Sequence, residues 1–279
     1  MKRIFLIALI LTATISINAQ DGWEAGFWLG TSTYFGDLNT SYDLSKPGLA
    51  GGIIARYNFN SRVALKFSGS YGTVQADDAD SKNAFERARN LSFESPVVEA
   101  NAQFEFNFLP YVHGSKDQFF TPYLFVGLSG FYFNPQAELD GETYELRELG
   151  TEGQFKGEEY YTIQGALSYG GGIKLDLSYE WSLNVEIGVR YLFTDYIDDV
   201  STVYADKDDL RRNRGNLGDI AVALSDRSIE VEGFDGSTIG QAGTQRGNSS
   251  NNDSYILMGV GILYYFGDLK CPPTSKRNF

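Results

Sequence analysis

The chain has 279 residues, 36 Asp plus Glu against 23 Lys plus Arg, and a formal net charge of −13. That acidic balance argues against a general nucleic-acid binder, whose footprint is basic. One Cys and one His exclude an internal disulfide framework and a thiolate zinc cluster, and disfavour chemistry that needs several imidazoles.

Lys2 and Arg3 precede an apolar run over residues 4–11, and Ile17-Asn18-Ala19 follows as a small-residue cleavage site. Residues 1–19 therefore read as a secretory signal peptide. Its removal takes the net charge from −13 to −15. No later segment offers the roughly twenty consecutive apolar residues of a spanning helix. An exported chain can still enter a membrane as a closed barrel, whose signal is alternation.

That alternation recurs along the chain. Eight strands are expected near 22–35, 48–58, 62–72, 97–108, 119–133, 160–178, 182–194 and 254–266. In the fourth, Val98, Ala100, Ala102, Phe104, Phe106 and Phe108 share one face, and Glu99, Asn101, Gln103, Glu105 and Asn107 the other. The third and seventh repeat the pattern, with Leu65, Phe67, Val185 and Ile187 opposed to Lys66, Ser68, Asn184 and Glu186. A period of two places one face in an apolar phase and the other in a polar one. The fifth and eighth carry Phe and Tyr on both faces. Gly170-Gly171-Gly172 inside the sixth suggests a bend or bulge. Aromatics at strand ends, among them Tyr57, Phe59, residues 131–133, Tyr160, Tyr161, Tyr179, Trp181 and residues 264–266, suit interfacial girdles.

The linkers 36–47, 59–61, 73–96, 109–118, 134–159, 179–181 and 195–253 alternate longer with shorter. A barrel with both termini in the periplasm needs that order. The expected fold is an all-β, eight-stranded antiparallel transmembrane barrel over 20–266, with short periplasmic turns, long extracellular loops and a periplasmic tail over 267–279. A β-sandwich is the soluble competitor, but its strands are usually shorter.

The polar face carries Arg56, Arg62, Lys66, Lys174 and Arg190 against Glu24, Glu99, Glu105, Asp176 and Glu186. These charges cancel. Unpaired buried charge is costly, and an eight-stranded barrel is just wide enough to be filled by side chains. A structural charge network is therefore expected in the lumen, and no useful pore.

In the loops, residues 82–90 are expected as a short helix. Asp195, Asp198 and Asp199, and also Asp206, Asp208 and Asp209, lack the spacing of a calcium loop. They read as solvated charge or as partners of Arg211, Arg212 and Arg214. The Gly-, Ser- and Asn-rich stretch 233–252 reads as flexible. His113 sits in an inner turn beside Tyr111 without a partnered nucleophile, so no catalytic residue, cofactor or metal is expected. Cys271, followed by Pro272 and Pro273 in an extended tail, is a candidate for an intermolecular disulfide.

Four segments resemble the PorG-like outer-membrane barrels of Bacteroidota. They are Tyr34-Phe35-Gly36-Asp37-Leu38-Asn39, Arg89-Asn90-Leu91-Ser92-Phe93, Thr194-Asp195-Tyr196-Ile197-Asp198-Asp199-Val200-Ser201, and Tyr264-Tyr265-Phe266-Gly267-Asp268-Leu269-Lys270-Cys271-Pro272. The resemblance implies a non-enzymatic scaffold of the type IX protein secretion system, associated with a periplasmic ring of PorK and PorN and with other outer-membrane secretion components. On that reading Cys271, Pro272, Pro273, Tyr111 and His113 are candidate partner-binding residues. The alternative is a free-standing barrel that binds an extracellular ligand or stabilises the envelope.

Overall fold

The computed structural model describes residues 21–178, 180–232 and 238–267. The expected signal peptide, Tyr179 and the tail with Cys271, Pro272 and Pro273 lie outside the described residues. Eight long strands form the wall: β1 (Gly22–Phe35), β2 (Gly48–Asn58), β3 (Val63–Asp77), β4 (Ser92–Asn107), β5 (Phe120–Phe133), β8 (Ile163–Asp176), β9 (Trp181–Leu192) and β10 (Ser254–Tyr265). Each pairs antiparallel with its sequence neighbour among the eight, and β1 pairs with β10 from Glu24↔Tyr265 to Phe35↔Ser254. The sheet closes on itself, which removes both edges. The expected eight-stranded antiparallel barrel is the observed fold.

Alternation decides which way each side chain points. In β4 the residues at odd positions from Glu99 to Asn107 are buried, while Val98, Phe104 and Phe106 are exposed. The outward row continues around the wall through Phe27, Leu29, Ile53, Phe67, Leu124, Val126, Ile187 and Val260, all exposed. At the end with short turns, Trp23–Tyr57, Tyr57–Phe59, Trp181–Tyr264 and Tyr264–Phe266 form ring contacts with centroids 4.9–5.2 Å apart. Phe131, Phe133 and Tyr160 do not join such a girdle. Phe131 and Phe133 are fully buried, and Tyr160 stacks on Phe133 and Tyr196.

The two-faced aromatics of β5 have a simple explanation. Tyr123 and Phe125 point inward, directly opposite Gly172 and Gly170 of β8. A Cβ on Gly170 would come within 2.9 Å of the Phe125 ring, and one on Gly172 within 2.8 Å of the Tyr123 hydroxyl. The expected bend or bulge is absent: β8 runs in unbroken register against both β5 and β9. These glycines make room for rings in a narrow lumen.

The four long connections gather at one end. They hold α1 (Ala84–Arg89), the hairpin β6 (Gln136–Leu139) and β7 (Glu142–Glu145), α2 (Leu146–Leu149), α3 (Lys207–Arg214) and α4 (Gly218–Ser225). Leu38, Leu91, Leu146, Leu149, Ile197, Val200 and Leu224 from these loops join one core with Val74, Phe93, Phe131, Phe133 and Tyr255 of the wall. The loops are therefore a folded cap on the barrel mouth. No helix among the described residues is long and apolar enough to cross a membrane.

Candidate functional site

The lumen forms a ladder of ion pairs across the barrel. Arg190 of β9 meets Glu99 of β4 at 3.0 Å, and Tyr255 donates to the same carboxylate at 2.6 Å. Glu105 is shared by Arg56 at 2.8 Å, Lys174 at 2.6 Å and Lys66 at 3.9 Å. Arg56 also reaches Glu24 at 3.0 Å, and Lys66 reaches Glu186 at 2.5 Å. Arg56, Lys66, Glu105, Lys174 and Glu186 thus form one connected interior network, which Asp176 joins through His113 and Glu24, while Glu99 and Arg190 form a separate pair in the same lumen. Arg62 is not part of it. It lies in the turn before β3 and its guanidinium donates to the Phe108 carbonyl. A void of about 20 Å³ lies between Lys66, Asn184, Glu186 and Arg190, room for about one water.

The turn end is closed by the connection 108–119 folding back into the mouth. Tyr111 and His113 are both 5% exposed. The His113 ring stacks on Tyr265 with centroids 4.2 Å apart. Its Nε2 lies 3.1 Å from Glu24 and its Nδ1 2.9 Å from Asp176. The Tyr111 hydroxyl donates to Asp176 at 2.5 Å. Burial disfavours the imidazolium, but hydrogen bonds and charge from Asp176 and Glu24 outweigh it and hold the His113 pKa up at about 9. Protonated His113 takes the positive place that Arg62 vacates. This corrects the expectation that Tyr111 and His113 offer a partner-binding surface, because both side chains are committed to plugging the barrel.

The cap carries a second polar network, which alternation could not show. Arg89 donates to Asp78 at 2.7 and 2.8 Å, to the Arg246 carbonyl at 2.6 Å and to the Asp37 carbonyl at 2.7 Å. One guanidinium therefore ties three loops. Arg246, 1% exposed, pairs with Glu152 at 3.1 Å and Asp199 at 3.6 Å. The stretch 238–252, read from sequence as flexible, is anchored at Ile239 and Arg246, which are buried, while residues 248–252 are exposed. Residues 233–237 lie outside the described residues.

Asp195, Asp198 and Asp199 are buried, not solvated, and they do not pair with Arg211, Arg212 or Arg214. The Tyr34 hydroxyl lies 2.5 Å from Asp198 and 3.1 Å from Asp253. One hydroxyl proton serves one carboxylate at a time. Burial, with neighbouring carboxylates adding to it, raises Asp198 and Asp253 well above the usual range, Asp195 to about 7. Burial likewise raises Asp199 to about 6, against the Arg246 charge. Among the described residues no group of three or more His, Cys, Asp or Glu is arranged to hold a metal ion. Asp206 does the local work of a helix N-cap, accepting from the Asp208 and Asp209 amides.

The segments that carried the resemblance converge on these two closures. Tyr34, Asp37, Arg89, Asp195, Asp198 and Asp199 lie in the cap network, and Tyr265 stacks on His113 in the plug.

No curated protein matches the chain. Solved barrels match at low identity. Neisserial surface protein A is 12% identical over 88% of this chain and 97% of its own, with a TM-score of 0.43. The outer membrane protein OprG from Pseudomonas aeruginosa is 12% identical over 90% and 97%, also with a TM-score of 0.43. Ail, the attachment invasion locus protein of Yersinia pestis, is 9% identical over 90% and 100%, with a TM-score of 0.38. At this distance they bear on nothing beyond the barrel, which the strand pairing establishes by itself. A family model matches residues 2–222, and on that match the chain belongs to the family described as a domain of unknown function, DUF6089.

Proposed function

We propose that the protein is a non-enzymatic outer-membrane barrel that acts as a scaffold of the type IX secretion system, with both termini in the periplasm and a ring of PorK and PorN type as its partner. The observation that carries the scaffold reading is the filled, doubly closed barrel. Its wall is apolar outside, its lumen is bridged by ion pairs, and its mouths are shut by a cap and a plug. Such an interior gives rigidity in lipid and no route for a solute. The secretion partner rests on the sequence resemblance alone. With Tyr111 and His113 turned inward, the remaining candidate contacts are Cys271, Pro272 and Pro273 of the tail. Co-purification from native outer membranes in mild detergent, on non-reducing gels and with Cys271→Ser alongside, tests the reading. Recovery of PorK and PorN homologues is the expected result. A barrel recovered alone, while other membrane complexes stay intact, overturns it.

The exposed, ordered cap favours a second reading, a free-standing barrel whose cap meets an extracellular ligand. It predicts the solitary barrel in the same experiment.

A further inference from the structure

The loop between β1 and β2 does not project away from the barrel. Phe35 ends β1 pointing outward, yet it is only 6% exposed, because Tyr42 lies on it with ring centroids 5.3 Å apart. Tyr42 holds φ +56, a left-handed conformation that a bulky residue rarely adopts. Asn39 clamps that geometry: its side chain accepts from the Asp43 amide at 2.8 Å and donates to the carbonyls of Tyr34 and Asp43 at 2.7 and 2.8 Å. The clamped loop nevertheless leaves Tyr42 73% and Leu44 53% exposed. Strain kept at an exposed aromatic is a pointer to use.

Between this overhang and the wall lies a cleft of about 730 Å³. Its floor is the outward face of three adjacent strands. Register places Tyr169, Val189 and Ile256 side by side, with Tyr191 in the next row. The same face continues away from the cap through Ile187, Met258 and Val260, so the cleft is an extension of the apolar belt. Its uncharged polar rim is four asparagine amides, Asn39, Asn248, Asn251 and Asn252, with the hydroxyls of Thr40 and Ser254. No Lys, Arg or His lines it, and its one charge is Asp37. An apolar floor open along the belt suits an acyl chain. An amide rim beside a carboxylate suits hydroxyl and amide groups and repels a phosphate.

We propose that this cleft is a site for an outer-leaflet amphiphile, with one acyl chain on the Tyr169–Val189–Ile256 floor beneath Tyr42 and Leu44, and an uncharged, hydroxyl- or amide-rich head at the asparagine rim. The proposal rests on the membrane reading above. The full-length mature protein is inserted into nanodiscs of phosphatidylethanolamine that contain equal amounts of a monoglucosyl diacylglycerol and phosphatidylglycerol. Native mass spectrometry then counts the lipids that stay bound on release. Wild type is expected to retain about fivefold more glucolipid than phosphatidylglycerol, a difference of roughly 1 kcal/mol. Val189→Trp, which fills the floor from a lipid-facing position, and Tyr42→Ala, which removes the roof, are each expected to abolish that preference. Equal retention of the two lipids, preference for phosphatidylglycerol, or a preference that survives both substitutions overturns the proposal. A wild-type barrel that fails to insert at all overturns the membrane reading instead, and this site with it.

Discussion

Glu105 is the carboxylate on which the lumen turns. It compensates Arg56, Lys174 and Lys66 together, and among the described residues no other carboxylate lies within ion-pair distance of Lys174. Glu105→Ala is expected to cost about 3–5 kcal/mol, the usual result of stranding a buried charge. Urea unfolding in detergent micelles, followed by Trp fluorescence, reads the loss. Adding Lys174→Met is expected to restore part of it, because the stranded cation is then gone. An unchanged midpoint in Glu105→Ala would mean that water solvates the lumen. The side to which these residues belong was legible in the sequence, since alternation assigns it. Their pairing was not, because Glu99 and Arg190 come from strands that are not neighbours in the wall. Arg62 was misplaced because the polar phase was extended one residue beyond the strand.

At the scale of elements, strand positions were readable wherever apolar and polar residues alternate cleanly. The early limits of β3 and the late start assigned to β4 trace to Pro96, which disfavours a strand reading although it sits opposite Thr73 in the ladder. The β6–β7 hairpin had a usable signal in Asp140-Gly141, whose φ values of +53 and +84 fit a tight hairpin turn. Burial of Arg246 had no local signal, because its side-chain partners lie 21, 47 and 94 residues away. The fit of β8 to β5 is testable. Gly170→Val forces a side chain against the Ile187 carbonyl, which lies closest to the added Cβ, as well as against Phe125 at 2.9 Å, and is expected to destabilise the barrel by about 1–3 kcal/mol or more; Gly170→Val with Phe125→Ala is expected to recover only part of that loss, because the backbone clash remains. The same urea titration decides it.

The cap and plug share a pH dependence of one sign. Asp195 and Asp199, at about 7 and 6, bind protons in the folded cap that the unfolded chain releases near the ordinary Asp value. Their contribution is fully present below that unfolded value and is lost as pH rises through the folded ones. His113, raised to about 9 from 6.5, contributes fully below 6.5 and loses its contribution as pH rises through 9. Protease cleavage within 193–253 is therefore expected to accelerate from pH 5 to pH 8. His113→Phe keeps a ring on Tyr265 but leaves Glu24 and Asp176 without that cation, so the plug is expected to loosen at all pH values. Equal cleavage rates across the range would contradict the shared-proton cap.

For the whole molecule, two independent closures and a bridged interior make the barrel a solid pillar. The cap core and the Tyr111–His113 plug shut opposite mouths, and neither depends on the other. Planar-bilayer recording tests this most directly, with insertion confirmed beforehand by the heat-modifiable folded band. The account predicts no steady conductance from pH 5 to pH 7, where His113 holds its proton and keeps the plug shut. Ohmic, stepwise openings of the wild-type barrel in that range would contradict it, because they would require a continuous water path where the structure places Arg56, Glu105 and Lys174 in contact.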